Sequence, residues 1–122
     1  MSWWLVGKNG SEIRVNAWRW RPTLELLKAN HLIEDTRLEA MGYNGTGTEI
    51  SAQEAEQIAQ VVEGIVEKLD VQDRVLLDLS STSEADTGQL YREEWEKNYS
   101  APVAWLSEFA SFCKSSGGFE VV

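Results

Sequence analysis

The heptapeptide NAWRWRP at residues 16–22 lies where the sequence changes from a strand-like to a helix-like pattern. It contains two of the six Trp residues, two Arg residues and one of the two Pro residues. Because Pro is well placed in the first turn of a helix, we expect a helix to begin at Pro22 and to run to about Asn30. Leu24 and Leu27 would lie on its apolar face.

The segment before the heptapeptide is predicted to form a β-hairpin over residues 2–17. Residues 3–7, WWLVG, are rich in β-forming side chains, and the Asn-Gly pair that follows them is a strong signal for a tight turn. Apolar and polar residues then alternate over 13–17, as in a half-buried strand. If this strand continued, Trp18 and Trp20 would join its polar face, so we expect it to end first.

Two further helices and a last strand are predicted downstream. Residues 51–54, SAQE, form a capping box. Apolar residues then recur every three or four positions, which predicts a helix over 52–69. The tripeptide SAP at 100–102 is expected to open the final helix, and the Gly-Gly pair at 117–118 to end it. A strand over 119–122 follows and can pair with the hairpin.

Other segments are less determined by their pattern. Residues 37–41 are expected to carry a helical turn, and the Gly-rich residues 42–48 a loop. The run VLLDL at 75–79 fits either a short helix or a strand. Residues 80–88 are polar and predicted to be a loop, and 90–98 are weakly helical.

These elements predict an α+β fold in a single domain over residues 1–122. A small, mainly antiparallel sheet, made of the N-terminal hairpin and the C-terminal strand, would pack against three or four helices. No apolar run approaches the ~20 residues that span a bilayer, and no secretory signal is recognisable at the N-terminus. A single Cys fits a reducing compartment. We therefore expect a cytoplasmic protein without a membrane partner.

Acidic residues are concentrated in the middle of the chain. The whole sequence has 20 Asp and Glu against 11 Lys and Arg, for a net charge of −9. Residues 1–48 hold five acids and six bases, whereas residues 49–96 hold thirteen acids and three bases. A field of this sign repels nucleic acids and anionic membranes, so the expected partner is a basic protein and not a nucleic acid. The alternative is that the acids form a solvated, soluble surface and select no partner.

The Trp-Arg stretch holds the candidate binding residues, Trp18, Arg19, Trp20 and Arg21. Aromatic faces and guanidinium groups together suit recognition of peptides, carbohydrates or anions. The competing interpretation is a strand-to-helix corner in which the two Trp side chains anchor the helix to the sheet. The second interpretation is favoured, because large aromatic side chains more often serve a core.

Other candidate residues do not form a recognisable catalytic or metal-binding pattern. Residues 43–49 offer several oxygen ligands but no Asp, so a calcium loop is not expected there. His31 is the only His, and its place at a predicted helix end suits a cap. Cys113 lies on the apolar line of the last helix, where a nucleophile is not expected. The acids within 84–96 fit a solvated face. We assign no catalytic, cofactor-binding or metal-binding residue.

Two motifs carry a resemblance to a known family. The stretch W-x-W-R-P at 18–22 and the stretch F-x-x-F-C-x-x-S-G-G-F-E at 109–120, with the capped helix at Ser51 between them, are similar to an uncharacterised family of small bacterial proteins. The likeness does not include residues 70–100. It implies a bacterial, cytosolic protein and transfers no site residue. It also implies that the strand-to-helix corner at Trp18 and Trp20 and the Gly-Gly pair that ends the last helix belong to one shared structural design.

The leading hypothesis is a non-enzymatic binding or interaction protein. In its most concrete form the chain is immunity-like or antitoxin-like, and its acidic middle segment engages a basic partner. The alternative is a small-ligand binder or an enzyme that uses the Trp18 and Trp20 corner together with residues 42–48. A concave pocket lined by His31 or Arg21 would favour this alternative.

Overall fold

Seven strands and four helices make up the part of the chain that a computed structural model describes, residues 2–43, 47–84 and 99–122. In chain order they are β1 (Ser2–Gly7), β2 (Glu12–Asn16), α1 (Ala17–Ala29), α2 (Asp35–Met41), β3 (Thr48–Ile50), α3 (Ala52–Glu67), β4 (Arg74–Leu76), β5 (Ser81–Thr82), β6 (Ser100–Pro102), α4 (Val103–Ser116) and β7 (Phe119–Val121). The predicted α+β class is confirmed. None of the described helices combines the length and hydropathy that a bilayer crossing needs.

The strands form two antiparallel sheets. The first has the order β2-β1-β7-β3, and the second has the order β5-β4-β6. In the first sheet Leu5 pairs with Val121 and Ile50 pairs with Phe119. The predicted hairpin and its pairing with the C-terminal strand are therefore confirmed. The strand β3 and the whole second sheet were not predicted.

The inner face of the first sheet contributes to the hydrophobic core. Alternation along β1 buries Trp3 and Leu5 completely and leaves Trp4 44% exposed on the outer face. Phe119 of β7 reaches the rings of Phe109 and Phe112 on α4, with centroids 6.3 and 5.4 Å apart. Helices α3 and α4 pack against each other and contribute to the same core. The sheet thus holds its N-terminal and C-terminal strands side by side.

Helix α1 begins earlier than the sequence pattern predicts. It starts at Ala17 and not at Pro22, because the side chain of Asn16 accepts a hydrogen bond from the Arg19 N–H at 3.1 Å. Pro22 therefore lies inside the helix, where it lacks the N–H that would bond to the Trp18 carbonyl. A cap contributes about 1 kcal/mol and burial of a large side chain about 2–3 kcal/mol, so the cap and the fully buried Trp20 together offset a Pro cost of about 3 kcal/mol.

The other helices agree more closely with their predictions. The helical turn expected at 37–41 belongs to α2, and α3 begins with the capping box formed by Ser51 and Glu54. It ends at Glu67, close to the predicted end. Gly117 caps α4 in the left-handed conformation, with φ of +73°. Helix predictions that rest on caps and a long apolar stripe are therefore confirmed.

The short strands correct two predictions and decide one that was left open. Residues 100–102 form β6 and do not open the last helix, which starts at Val103. The ambiguous run at 75–79 begins in β4, and β5 lies in the predicted loop at 80–88. These strands have two or three residues and are specified by partners far away in the chain, such as Val75 with Ala101. The predicted helix at 90–98 lies outside the described residues.

Candidate functional site

A cleft of about 720 Å³ opens beside α1 and α2. The indole-bearing residues Trp3 and Trp20 form part of its lining, and α1 adds Arg21, Leu24 and Lys28. These three α1 residues are spaced at three and four positions, so they share one face of the helix. The charged ends of Arg21 and Lys28 are exposed, whereas Leu24 is half-buried. This wall thus has apolar surface at its centre and two cations at its rim, with the exposed carboxylate of Glu25, also on α1, in the same lining.

Helix α2 forms a second wall with the opposite charge. Its lining residues Asp35, Leu38 and Glu39 share a face for the same reason of spacing. Leu38 is buried and both acids are exposed. Two tyrosines also line the cleft, Tyr43 just after α2 and Tyr99 just before β6. The cleft therefore combines apolar and aromatic surface with charges of both signs.

Tyr99 is held between two side chains of the Trp-Arg stretch. The rings of Trp18 and Tyr99 have centroids 4.3 Å apart with an angle of 39° between their planes. The guanidinium carbon of Arg21 lies 6.0 Å from the Tyr99 centroid, within the range of a cation–π interaction. One face of the cleft is thus stabilised by contacts between α1 and the residue that leads into β6.

The indole N–H groups of Trp20 and Trp105 each have a hydrogen-bond acceptor in the core. The Trp20 Nε1 donates to the Met41 carbonyl at 2.9 Å, which links α1 to the end of α2. The Trp105 Nε1 donates to the Thr23 Oγ1 at 2.9 Å, and Thr23 in turn donates to the Arg19 carbonyl at 2.7 Å. These bonds satisfy donors that would otherwise be costly to bury.

Trp3 differs from these two residues. Its side chain is completely buried, yet its Nε1 has no acceptor among the residues that the structure describes. An unpaired buried donor of this kind costs about 1–3 kcal/mol relative to a paired one. Trp3 also borders the cleft. Trp3 is therefore a lining residue of the cleft whose Nε1 is itself closed off from solvent.

The four candidate binding residues are separated by the helix that contains them. Trp20 and Arg21 line the cleft, while Trp18 packs on Tyr99 and Arg19 is exposed outside the lining. In a continued strand Trp18 and Trp20 would have lain on the same face. In the helix they are two positions apart, about 200° around the axis, so they face different directions.

The alternative site predicted from the corner and residues 42–48 is partly represented in the cleft. Gly42 lines it, whereas Thr48 is the first residue of β3. Positions 44–46 of that loop, including the proposed oxygen ligands there, lie outside the described residues. His31 is exposed with φ of +54° and is not in the lining. Sequence reasoning missed Trp3 and the α2 wall, although the spacing of Asp35 and Leu38 was a usable signal.

An ion pair joins α2 to the start of α3. The Arg37 guanidinium donates to both carboxylate oxygens of Glu54, in one case at 2.9 Å. Glu54 also accepts from the Ser51 backbone N–H at 3.0 Å in the capping box. Chiefly because of the Arg37 bond, and with the capping bonds adding to it, the pKa of Glu54 is lowered to about 2. This pair fixes one cleft wall against the rest of the fold.

Reactive groups do not converge in the described part of the chain. Burial raises the pKa of the Cys113 thiol, so this side chain behaves as a small apolar group. Among residues 2–43, 47–84 and 99–122, no cluster of three or more His, Cys, Asp or Glu side chains could hold a metal ion.

Acids also dominate the surface of the middle segment. The described residues 49–84 contain nine acids and two bases, and one of these bases, Arg74, is buried. The exposed acids of this segment are Glu49, Glu56, Glu67, Asp70, Asp78 and Glu84. The uneven charge seen in the sequence is therefore an uneven charge of the molecular surface.

No family model matches this chain, and no curated protein or solved structure matches it either. The similarity to small bacterial proteins, based on the motifs at 18–22 and 109–120, stays a prediction.

Proposed function

We propose that this chain is a non-enzymatic binding protein, immunity-like or antitoxin-like, that engages a basic protein in the bacterial cytoplasm. The observation that supports this proposal is the surface charge of the described residues 49–84, where six exposed acids accompany a single exposed base, Lys68. A field of one sign on one part of a surface accelerates the encounter with an oppositely charged partner.

Helix α3 supplies the most regular part of this surface. Glu56, Gln60, Glu63 and Glu67 step at four, three and four positions along it, so they form one outward stripe. The helix has 16 residues and spans roughly 24 Å. The Lys114 Nζ lies 3.9 Å from Glu63; both side chains are well exposed, so the pair contributes little. The stripe therefore keeps its negative charge.

Affinity capture with a charge-reversed stripe tests the proposal. We would immobilise the chain, expose it to bacterial lysate at low and high salt, and compare wild type with the variant Glu56→Lys/Glu67→Lys. The matched control is Glu12→Lys/Glu108→Lys, which changes the net charge equally at exposed sites on β2 and α4. We expect a basic protein whose retention falls with salt and is lost only in the α3 variant.

Two outcomes would count against this function. One is a captured protein that is acidic, or whose retention ignores salt. The other is an equal loss in the α3 variant and in its control, because the stripe would then have no special role.

A second candidate function is the binding of a small ligand in the cleft. The observation that favours it is the cleft lined by Arg21. Its volume of about 720 Å³ lies within the range of ligand-binding sites. Native mass spectrometry of protein purified without denaturant tests it. We expect a co-purifying molecule that is lost in Leu24→Trp, where the larger side chain fills the cleft. A wild-type spectrum without added mass, together with no binding in a broad small-molecule screen, would exclude this candidate.

A further inference from the structure

The turn between β1 and β2 contains an Asn-Gly pair, Asn9 and Gly10. Asn-Gly is the sequence in which deamidation is chemically easiest, because Gly places no side chain in the way of the attacking nitrogen. We propose that Asn9 is a modification site whose deamidation is controlled by the docking of this turn on α4. The docked turn preserves the amide, the open turn loses it, and the product docks less well than Asn9. The proposal is independent of both candidate functions.

The reaction joins two neighbouring groups of the chain. The backbone nitrogen of Gly10 gives up its proton to solvent and attacks the side-chain carbon Cγ of Asn9. A C–N bond forms, the Cγ–Nδ2 bond breaks, and the side-chain nitrogen leaves as ammonia. Water then opens the cyclic imide at either of its carbonyl groups, which leaves Asp or isoAsp at position 9. Water is the only co-reactant, and no group is oxidised or reduced.

The docked turn holds both reacting groups in hydrogen bonds. The Gly10 N–H, which must lose its proton, donates to the Gly7 carbonyl at 3.0 Å. The leaving group, Asn9 Nδ2, donates to the Ser115 carbonyl at 2.9 Å. Asn9 Oδ1 accepts from the backbone N–H and the hydroxyl of Ser11, at 3.0 and 2.6 Å. The side-chain amide is thus fixed at both ends, and ring closure requires the Gly10 bond to break and this amide to turn.

The same turn is docked on the C-terminal end of α4. The backbone N–H of Asn9 donates to the Ser116 carbonyl at 3.1 Å, and that of Lys8 donates to the Gly118 carbonyl at 3.0 Å. A Cβ added to Gly7 would lie 2.8 Å from Asn9 Oδ1 and 3.0 Å from the Ser116 Cβ. The turn, the Asn9 side chain and the helix end are therefore in close contact, and opening the turn breaks contacts on both sides of Asn9.

Local opening of the turn is expected to be accessible without global unfolding. Lys8, Asn9 and Gly10 are all exposed, and surface turns open at free energies well below that of the whole domain. Each net hydrogen bond lowers the population of the open turn several-fold, so the bonds around Asn9 make it a minor state. Deamidation of the folded chain should therefore proceed slowly, at a rate set by the population of the open turn.

The product cannot restore the contact with α4. Ionised Asp has no N–H to donate, so the Ser115 carbonyl loses its side-chain donor. The new carboxylate would also face the carbonyl end of a helix, where negative charge is unfavourable. IsoAsp in addition lengthens the main chain within the turn, which disturbs the spacing that joins Gly7 to Gly10. Each conversion therefore shifts the turn further towards its open state.

Peptide mapping by mass spectrometry tests the proposal on the full chain, incubated at mildly alkaline pH with and without urea. The chain contains its own reference, because it has a second Asn-Gly pair at 44–45. In urea both pairs belong to an unfolded chain, so we expect Asn9 and Asn44 to be deamidated at similar rates. Without urea we expect the rate at Asn9 to fall about tenfold or more below its rate in urea.

Variants connect the rate to the docking of the turn. Ser11→Ala removes the hydroxyl that donates to Asn9 Oδ1, so we expect the rate in the folded chain, relative to the same variant in urea, to rise several-fold. Ser107→Ala, at an exposed position of α4, is the matched control and should leave this ratio unchanged. Hydrogen exchange of the Lys8 amide measures opening directly, and it should be faster in Ser11→Ala and in Asn9→Asp than in wild type.

The proposal is overturned if Asn9 is deamidated as fast in the folded chain as in urea, because docking would then give no protection. Equal rate ratios in Ser11→Ala and Ser107→Ala, or equal Lys8 exchange in Asn9→Asp and wild type, overturn it as well. An Asn9 that stays intact in the folded chain, although hydrogen exchange shows that the turn opens, is the remaining contrary outcome, because opening would then not lead to reaction.

Discussion

At the scale of single residues, Trp3 and Trp20 form a natural pair for comparison. Both indoles are completely buried, but within residues 2–43, 47–84 and 99–122 only the Nε1 of Trp20 has an acceptor, the Met41 carbonyl. Trp20→Phe removes the indole donor to that carbonyl, whereas Trp3→Phe removes a donor that has no acceptor among the described residues. We expect Trp20→Phe to lower the free energy of unfolding by about 1–2 kcal/mol more than Trp3→Phe does, as measured by urea denaturation.

The two substitutions remove similar side-chain volume, so their cavity terms largely cancel. Trp4→Phe, on the exposed outer face, gives the baseline for loss of an indole without burial. Equal costs for Trp3→Phe and Trp20→Phe would mean that the Trp3 donor is satisfied in the free protein.

Glu54 gives the fold a dependence on acid. Its folded pKa of about 2 lies below the value of about 4.3 for an unfolded Glu, so its carboxylate favours the folded state. This contribution is fully present above the unfolded pKa and is lost as the pH falls from about 4.3 towards 2. We expect Glu54→Gln, which keeps an acceptor for the Ser51 N–H, to cost about 1–2 kcal/mol at pH 7.

Unfolding curves measured between pH 7 and pH 2 check the sign. The difference between wild type and Glu54→Gln should shrink as the pH falls, and Glu56→Gln, at an exposed position of the same helix, is the control for the removal of one carboxylate. A difference that stays constant through acid would contradict a role for the Arg37 pair.

Residues differ in how far the sequence predicts their environment. The capping partners Ser51 and Glu54 follow from local spacing, because both groups of the box lie within one turn. Burial of Trp3 follows from alternation in β1. The lack of an acceptor for Trp3 among the described residues does not follow from the local sequence. Hydrogen-bond partners of buried indoles come from distant segments, as the Met41 carbonyl does for Trp20.

At the scale of elements, substitution by Ala is expected to have opposite effects on stability at two glycines. Gly118 connects α4 to β7 with φ of +101°, and an added Cβ would lie 2.8 Å from the Ile50 carbonyl oxygen. Both the backbone angle and the contact with main-chain atoms oppose a side chain there. Gly64 lies within α3, where an added Cβ meets nothing within 4 Å. We expect Gly118→Ala to lose more than about 2 kcal/mol and Gly64→Ala to gain about 0.5–1 kcal/mol.

Thermal and urea unfolding of the two variants measure these changes. Gly117→Ala serves as the control for the junction, since Gly117 also has a positive φ but open space around its missing Cβ. Its cost should be only the left-handed backbone penalty of about 1–2 kcal/mol. If Gly118→Ala cost no more than Gly117→Ala, the close approach to Ile50 would not constrain the junction.

Elements were predictable where the signal is local and long. Helix α3 has a capping box and an extended apolar stripe, and its prediction is confirmed. The start of α1 was misplaced because Pro22 was given more weight than Asn16, although Asn is among the strongest N-cap residues. The strands β4 and β6 have three residues each, too few for a period to be recognised.

At the scale of the whole molecule, the fold class could be predicted from the sequence and the cleft could not. An N-terminal hairpin, central helices and a C-terminal strand already predict an α+β arrangement. The cleft, in contrast, combines Trp3 from β1, faces of α1 and α2, and Tyr99 before β6. Segments that are distant in the chain meet there only through the tertiary fold.

The position of β7 makes the first sheet depend on the last residues of the chain. This strand lies between β1 and β3, with Phe119 and Val121 almost completely buried. The Trp4 and Val122 backbones also exchange two hydrogen bonds, at 3.1 and 2.9 Å. A chain that ends at Gly118 loses these bonds, two core side chains and the only described partner of β3.

We expect the chain ending at Gly118 to lose cooperative unfolding, because two buried side chains alone contribute about 3–6 kcal/mol, which is comparable with the total stability of a small domain. Circular dichroism and NMR dispersion measure this loss. A chain ending at Val121 is the graded control: it keeps both core side chains and gives up only the hydrogen bonds of Val122, so it should fold with about 1–3 kcal/mol less stability. A cooperative transition in the Gly118 chain, close to that of the control, would show that β1, β2 and the helices form a stable core without the central strand.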